Sequence, residues 1–246
     1  MRGAEGAFFL NPHVKDDRRY GMNVIEAAEQ VGLSRLVYVS AYQPYANTPV
    51  LGAVLRTLLT WMAPRYAGKL DVSRRLMRST VPHVELMPTN FFQNDETVRE
   101  EIRSGTLLWP VGRKPVNRVD VRDIAAAAAN ALTDTTIPSG RYPLVGAEDL
   151  TGDDCARIWS AALGREVRHE AEDVAAWCAA AERAGEPRFT IDDYQISFGL
   201  MRRFGTPSTK DDVARTRRIL GRAPRLYVEY VAYLSQRRPG GLGIAA

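Results

Sequence analysis

Three extended runs in this chain end in polar or turn-forming residues. Asn11-Pro12 follows Ala7–Leu10, Ser40 and Tyr42 follow Leu36–Val39, and Pro88-Thr89-Asn90 follows Val84–Met87. In an open parallel sheet, ligands lie in the crevice at the carboxyl ends of the strands. If these strands are neighbours, the three groups converge along one edge. Taken singly, each is ordinary turn chemistry. Their recurrence at successive strand ends makes a binding cleft the competing reading.

Tyr66 and Lys69 form a second constellation. An ammonium beside a phenol favours the phenolate and lowers the tyrosine pKa. Such a pair can protonate a carbonyl or alkoxide during hydride transfer. The usual helical spacing for that work is i, i+4, whereas here it is i, i+3. Both spacings share a helix face, yet the side chains differ in angle by about one residue's rotation. The alternative, which the spacing favours, is that Lys69 binds a ribose hydroxyl and Tyr66 packs. Tyr66 is the one proton donor to name as catalytic.

Other chemistries find less support. His13, His83 and His169 lack metal-ligand spacing and read as loop or surface histidines. The chain has no G-x-S-x-G elbow and no phosphate-binding P-loop. Asp123 reads as an N-terminal cap for a helix over 124–132 rather than a catalytic carboxylate. Cys155 and Cys178 lie in alanine-rich helical patterns and read as buried reduced thiols.

The elements that would position these groups follow from periodicity. Ala7–Leu10 reads as a strand buried on both faces. Met22, Ile25, Ala28 and Val31 recur at helical spacing before Gly32, which supplies a C′ stop. Leu36–Val39 is a second buried strand. This strand–helix–strand unit is the mark of a parallel sheet. After a loop over Pro44–Pro49 come helices over 50–62 and 65–78, then a strand at Val84–Met87 and a helix over 91–103 ending at Gly105. Val116–Val121 is extended, and Tyr142–Val145 is a fourth strand in which Pro143 would be awkward at a central position. From Leu150 the pattern is mainly helical: a helix from Thr151 to Gly164, a short strand at 166–169, then helices over 174–184, 193–204, 211–220 and 226–234, the third with Ser208 as cap. The tail over 237–246 is glycine-rich and expected to be disordered.

Composition sets outer bounds. The 246 residues suit one large domain, or one with an appendage, and 45% hydrophobic with 25% charged residues is ordinary globular usage. The net charge of +4 comes from 33 basic and 29 acidic residues. Charges are interspersed, as in Lys15-Asp16-Asp17-Arg18-Arg19, with no basic stripe, which argues against nucleic acid as the main partner. No apolar run approaches the ~20 residues of a membrane span, and the expectation is a soluble cytoplasmic protein without membrane partners.

The ordered set Phe8-Phe9-Leu10-Asn11-Pro12, Arg35–Ala41, Lys69 and Leu76 before Ser79, Met87–Asn94, Val119–Ala125 and Tyr142–Gly146 resembles the NmrA-like branch of the atypical short-chain dehydrogenase/reductases. The resemblance runs from about Gly3 to Leu234 and includes Leu150-Thr151-Gly152, Ile158-Trp159 and Leu163-Gly164-Arg165. It implies a Rossmann-like parallel α/β sheet over 1–146, with 94–116 contributing to the substrate side. A smaller, mainly helical C-terminal subdomain over 147–236 would follow. It also implies NAD(P) as cofactor, with NADP the expected form, in a cleft lined by Asn11, Pro12, Ser40, Lys69, Pro88 and Asn90. The partner would be a small-molecule substrate of an oxidoreductase, or a regulatory protein served by a nonenzymatic dinucleotide sensor. Met87 departs from the arginine usual before the proline at Pro88.

No glycine-rich turn between a strand and a helix precedes Ala7–Leu10. That turn normally holds the pyrophosphate on backbone N–H groups. By resemblance, Met1 falls just before a fourth strand, so the expected sheet lacks its first strands. The open readings are a start site placed too late, a degenerate relic, and a sheet completed by another chain. Losing two or three phosphate hydrogen bonds, at about 1.5–3 kcal/mol each, removes much of the ~8 kcal/mol of a micromolar complex. Weak cofactor binding is expected.

Overall fold

The computed structural model describes residues 3–11, 16–43, 48–62 and 67–236. Pro12, His13, Tyr66 and the tail over 237–246 lie outside the described residues.

Four parallel strands form the main sheet: β1 (Gly6–Leu10), β2 (Arg35–Val39), β3 (His83–Pro88) and β7 (Gly140–Leu144), in the order β1-β2-β3-β7. The registers Phe8↔Val37, Tyr38↔Glu85 and Leu86↔Tyr142 bring all four carboxyl ends to one edge. Pro143 sits on β7, the outer strand, where its missing N–H breaks no ladder. Helices α1 (Asp17–Val31) and α3 (Ala67–Leu76) cover one face around Ile25, Tyr38, Val72 and Leu76. The other face is covered by α5 (Val121–Thr133) and α9 (Lys210–Leu220), through Ala127, Ala131, Ile219 and Leu220. Helix α2 (Pro49–Met62) lies at the periphery, with Val50 and Trp61 exposed.

β1 differs from its reading as a strand buried on both faces. Ala7 and Phe9 pack inward, Phe9 stacking on Tyr38 at 5.5 Å, but Phe8 and Leu10 remain 47% and 56% exposed. The reason is position. β1 is an edge strand among the described residues, and α5 approaches it at its Gly6 end, where Leu132 lies. A continuous apolar run looks the same in a central strand and in an edge strand with one open face.

A second core lies beyond the sheet edge. It gathers Phe92, Val98, Ile102 and Leu107 with Trp159, Trp177, Phe198 and Tyr230. The segment predicted as one helix over 91–103 is instead β4 (Asn90–Phe91), a 3₁₀ turn over Phe92–Val98 and α4 (Arg99–Ser104), ended by Gly105 in the left-handed region. β4 pairs with β6 (Val116–Val119), which pairs with β8 (Asp149–Leu150); β5 (Thr106–Leu108) pairs with β9 (Arg168–Glu170). Helices α6 (Gly152–Leu163), α7 (Val174–Arg183), α8 (Arg188–Phe204) and α10 (Tyr227–Ser235) close this core.

Two caps are displaced from where they were expected, one by three residues and one by a single residue. Asp120 caps α5 by accepting from Arg122 N at 2.8 Å, and Asp123 is held by Arg222 and Arg225. Thr209, not Ser208, caps α9 in a reciprocal pair with Asp212. Ser208 bonds Asp149 instead. His169 is not a surface histidine. Its buried ring sits between the Trp109 carbonyl at 2.8 Å and Asp153 at 3.2 Å. A Cβ on Gly152 would meet that ring at 2.0 Å, so the first turn of α6 requires glycine.

Candidate functional site

The carboxyl ends of β2 and β3 open into a cleft of about 320 Å³. The floor is Ser40, Ala41 and Tyr42 after β2, and Pro88, Thr89 and Asn90 after β3; Lys69 and Leu70 of α3 form one wall. α8 roofs it. Asp193, Ser197 and Met201 recur at helical spacing along one buried stripe, with Thr190, Tyr194 and Leu200 beside them. Phe198, on the adjoining face of α8, packs into the second core.

Lys69 is the cation of the site. Its Nζ donates to the Asn11 carbonyl at 3.4 Å. Burial lowers its pKa from the ordinary lysine range, while Asp17 and Asp193 pull the other way. Ser40 is buried, and its hydroxyl donates to Glu85 at 2.6 Å. Asn90 Nδ2 lies 3.7 Å from the Met201 sulfur, linking floor to roof. Tyr42 donates its hydroxyl to Asp212 at 2.9 Å, and Tyr194 donates to Asn94 at 3.1 Å.

Of the residues expected to line a cofactor cleft, Ser40, Lys69, Pro88 and Asn90 come together here. Asn11 does not line the cleft. Its buried side chain donates to the Asp17 carbonyl at the start of α1, and it reaches the site through its own carbonyl alone. Pro12 and Tyr66 fall outside the described residues. Asp193, Tyr194, Ser197 and Met201 were missed because α8 is about a hundred residues downstream. Its Asp–Ser–Met stripe resembles any half-buried helix face. Among the described residues, no cluster of histidine, cysteine or carboxylate could hold a metal ion.

A lysine beside strand-end carbonyls, a buried serine and largely apolar walls suit a nicotinamide ring and its ribose. The volume is at the lower end for small-molecule pockets, room for that half of a dinucleotide. Among the described residues, none of the glycines with positive φ lines the cleft, so no glycine-rich anion-holding turn is found there.

A parallel sheet with a cleft at its strand ends, covered by a helical layer, is Rossmann-like architecture. The NmrA-like family model matches residues 1–176, and the chain belongs to that family. It is similar to an NAD(P)H azoreductase of Xenophilus azovorans, 28% identical over 172 residues, covering 70% of this chain and 56% of that enzyme. Its fold is similar to that of the NADPH-dependent quinone oxidoreductase of Escherichia coli solved with NADPH, with TM-score 0.76 and 19% identity, covering 94% of this chain and 77% of that one. It is also similar to NmrA, a negative transcriptional regulator solved with NAD, with TM-score 0.69 and 17% identity, covering 94% and 74% of the two chains. The chain spans about half the length of the curated relatives it matches. No helix among the described residues is long and apolar enough to cross a membrane.

Proposed function

We propose that this chain is an NAD(P)-dependent oxidoreductase, NADP being the preferred form, that takes the nicotinamide end of the cofactor and a small substrate in the cleft under α8. The observation that carries this reading is the half-buried Lys69 ammonium, held over the end of β1 by the Asn11 carbonyl. A cation so placed can bond ribose hydroxyls while the apolar walls take the ring. When bound, the nicotinamide supplies or accepts a hydride. Lys69 orients the sugar, the α8 stripe excludes water, and Tyr66 is the proposed donor of a proton from its hydroxyl. The similarity to an azoreductase and to a quinone reductase fold supports a redox role.

Binding of the whole dinucleotide by this chain is proposed to be impaired. The described residues offer the pyrophosphate no glycine-rich turn, and the two or three bonds it would supply are each worth about 1.5–3 kcal/mol. The second reading is a nonenzymatic dinucleotide sensor acting through a protein partner. It is favoured by the two cleft tyrosines, both of which give their hydroxyl protons to protein acceptors rather than to the cleft.

The test is to titrate the chain with NADPH and with reduced nicotinamide mononucleotide, following nicotinamide fluorescence. Both are expected to bind at roughly millimolar Kd, about −4 kcal/mol, and alike, with Lys69→Met about tenfold weaker. Micromolar NADPH binding would remove the impairment, and no binding of either would remove the site. NADPH oxidation with a quinone or azo compound, lost in Tyr66→Phe, selects the enzyme over the sensor.

A further inference from the structure

Five of the hydroxyls lining this cleft, those of Ser40, Tyr42, Thr89, Tyr194 and Ser197, share a property that their residue types do not require. A serine, threonine or tyrosine hydroxyl has one proton and can either donate or accept. In these five the proton is already used by the protein, whereas the buried Thr206 hydroxyl beside them has no partner among the described residues. Ser40 donates to Glu85 at 2.6 Å, Thr89 to Asn117 at 3.0 Å, Tyr42 to Asp212, Tyr194 to Asn94, and Ser197 to the Asp193 carbonyl at 3.1 Å. The backbone N–H of Ser40 is spent on the Leu86 carbonyl at 2.9 Å.

Ser40 is the most firmly fixed of these. Its acceptor, Glu85, is 1% exposed on β3, and the other carboxylate oxygen of Glu85 takes Arg141 Nε at 3.1 Å. Arg141 in turn donates to Gln43 at 2.6 Å. A short hydrogen bond to a buried carboxylate is about twice as strong as a neutral one, so turning the Ser40 proton toward the cleft would forfeit more than a neutral ligand acceptor returns.

We propose that Glu85, acting through Ser40, sets the hydrogen-bond polarity of the cleft floor. Ser40 then takes a ligand's donor group, a hydroxyl or amide N–H, and gives no bond to a carbonyl or quinone oxygen, which leaves donation in the cleft to the Lys69 ammonium and the Asn90 amide. Glu85 is a positioning residue and Ser40 the residue that reads the ligand. This rests on the cleft being the substrate site, and it makes the alcohol member of an alcohol–ketone pair the one recognised at Ser40.

The matched probes are 1-phenylethanol and acetophenone, which have the same heavy-atom skeleton and differ in whether the oxygen can donate. Each is titrated into the 246-residue chain without cofactor and followed by amide chemical shifts of Ser40, Lys69 and Asn90. The alcohol is expected to bind about three- to tenfold tighter, the range of one neutral hydrogen bond. Ser40→Ala should bring the ratio to about one. The neutral double variant E85L/R141M leaves Ser40 without the Glu85 acceptor, frees its proton for the cleft, and should reverse the preference. If that variant fails to fold, the Ser40→Ala ratio decides. Acetophenone binding as tightly as the alcohol, an unchanged ratio in Ser40→Ala, or no shifts at the three amides from either probe would each overturn the proposal. The ratio needs no dinucleotide, so loss of NADPH binding and loss of this preference are separable results.

Discussion

Cys155 and Cys178 share a residue type and little else. Cys155 is fully buried beside Arg118, and burial pushes its thiol up to about 12 against the pull of that guanidinium. Cys178 is half-buried and takes a hydrogen bond from Gln195. Both are free, as the sequence suggested, but only the first is fully buried. A thiol reagent at neutral pH should therefore modify one cysteine per native chain and two in denaturant, since the thiolate is the nucleophile. Two fast-reacting thiols in the native protein would contradict this arrangement. At this scale the sequence was legible where a strand end spoke for itself, as at Ser40, Pro88 and Asn90. It was silent on partners distant in the chain. Nothing in Ser40-Ala41-Tyr42 tells that Glu85 and Asp212 will hold two of those side chains.

Among the elements, α1 and α3 are linked most closely through the Glu29 carboxylate, with a more exposed pair between Arg18 and Asp71 beside it. Glu29 accepts from both terminal nitrogens of Arg75 and from Ser79 at 2.7 Å. The hydrogen bonds from Arg75 and Ser79 bring its pKa from an ordinary 4.5 down to about 2. The folded value lies below the unfolded one, so the contribution is present above about pH 4.5 and is lost as pH falls toward 2. The pair is partly solvated, which limits it to about 1 kcal/mol. Glu29→Gln should lower the urea midpoint near neutral pH and flatten its decline in acid. An unchanged acid slope would show that the clamp does not titrate. Periodicity found α1 and its Gly32 terminus because the signal lies within the helix itself. It did not find the 3₁₀ turn over Phe92–Val98, whose shape is set by packing against Trp159 and Tyr230 from later in the chain.

At the scale of the whole molecule, Arg118 and Asp95 form a buried ion pair within the helical core, at the border that Phe91 shares with the sheet core. Arg118 is 1% exposed, donates to Asp95 at 2.6 Å and to the Phe91 and Phe92 carbonyls, and lies over the rings of Trp109 and Tyr227. Asp95 also receives Trp159 at 3.0 Å and the Tyr227 hydroxyl. Removing one partner from a buried pair strands the other charge, at about 3–5 kcal/mol, whereas replacing both by apolar residues is far milder. Asp95→Asn should lose stability on that scale in chemical denaturation, and the double variant D95L/R118M should regain most of it. A loss under ~1 kcal/mol in Asp95→Asn would mean that the pair does not hold that core together. Because Arg118 fixes the carbonyls just after Asn90, the same pair steadies the cleft floor.

Among the described residues β1 pairs with β2 alone, and yet the carbonyl that follows it anchors the ammonium of the site. A molecule gripping that ammonium and reaching the serine after the next strand would brace this margin of the sheet against its middle. Occupancy and fraying would then be opposite weights on one balance: whatever steadies the margin also raises affinity, with no new contact to the guest.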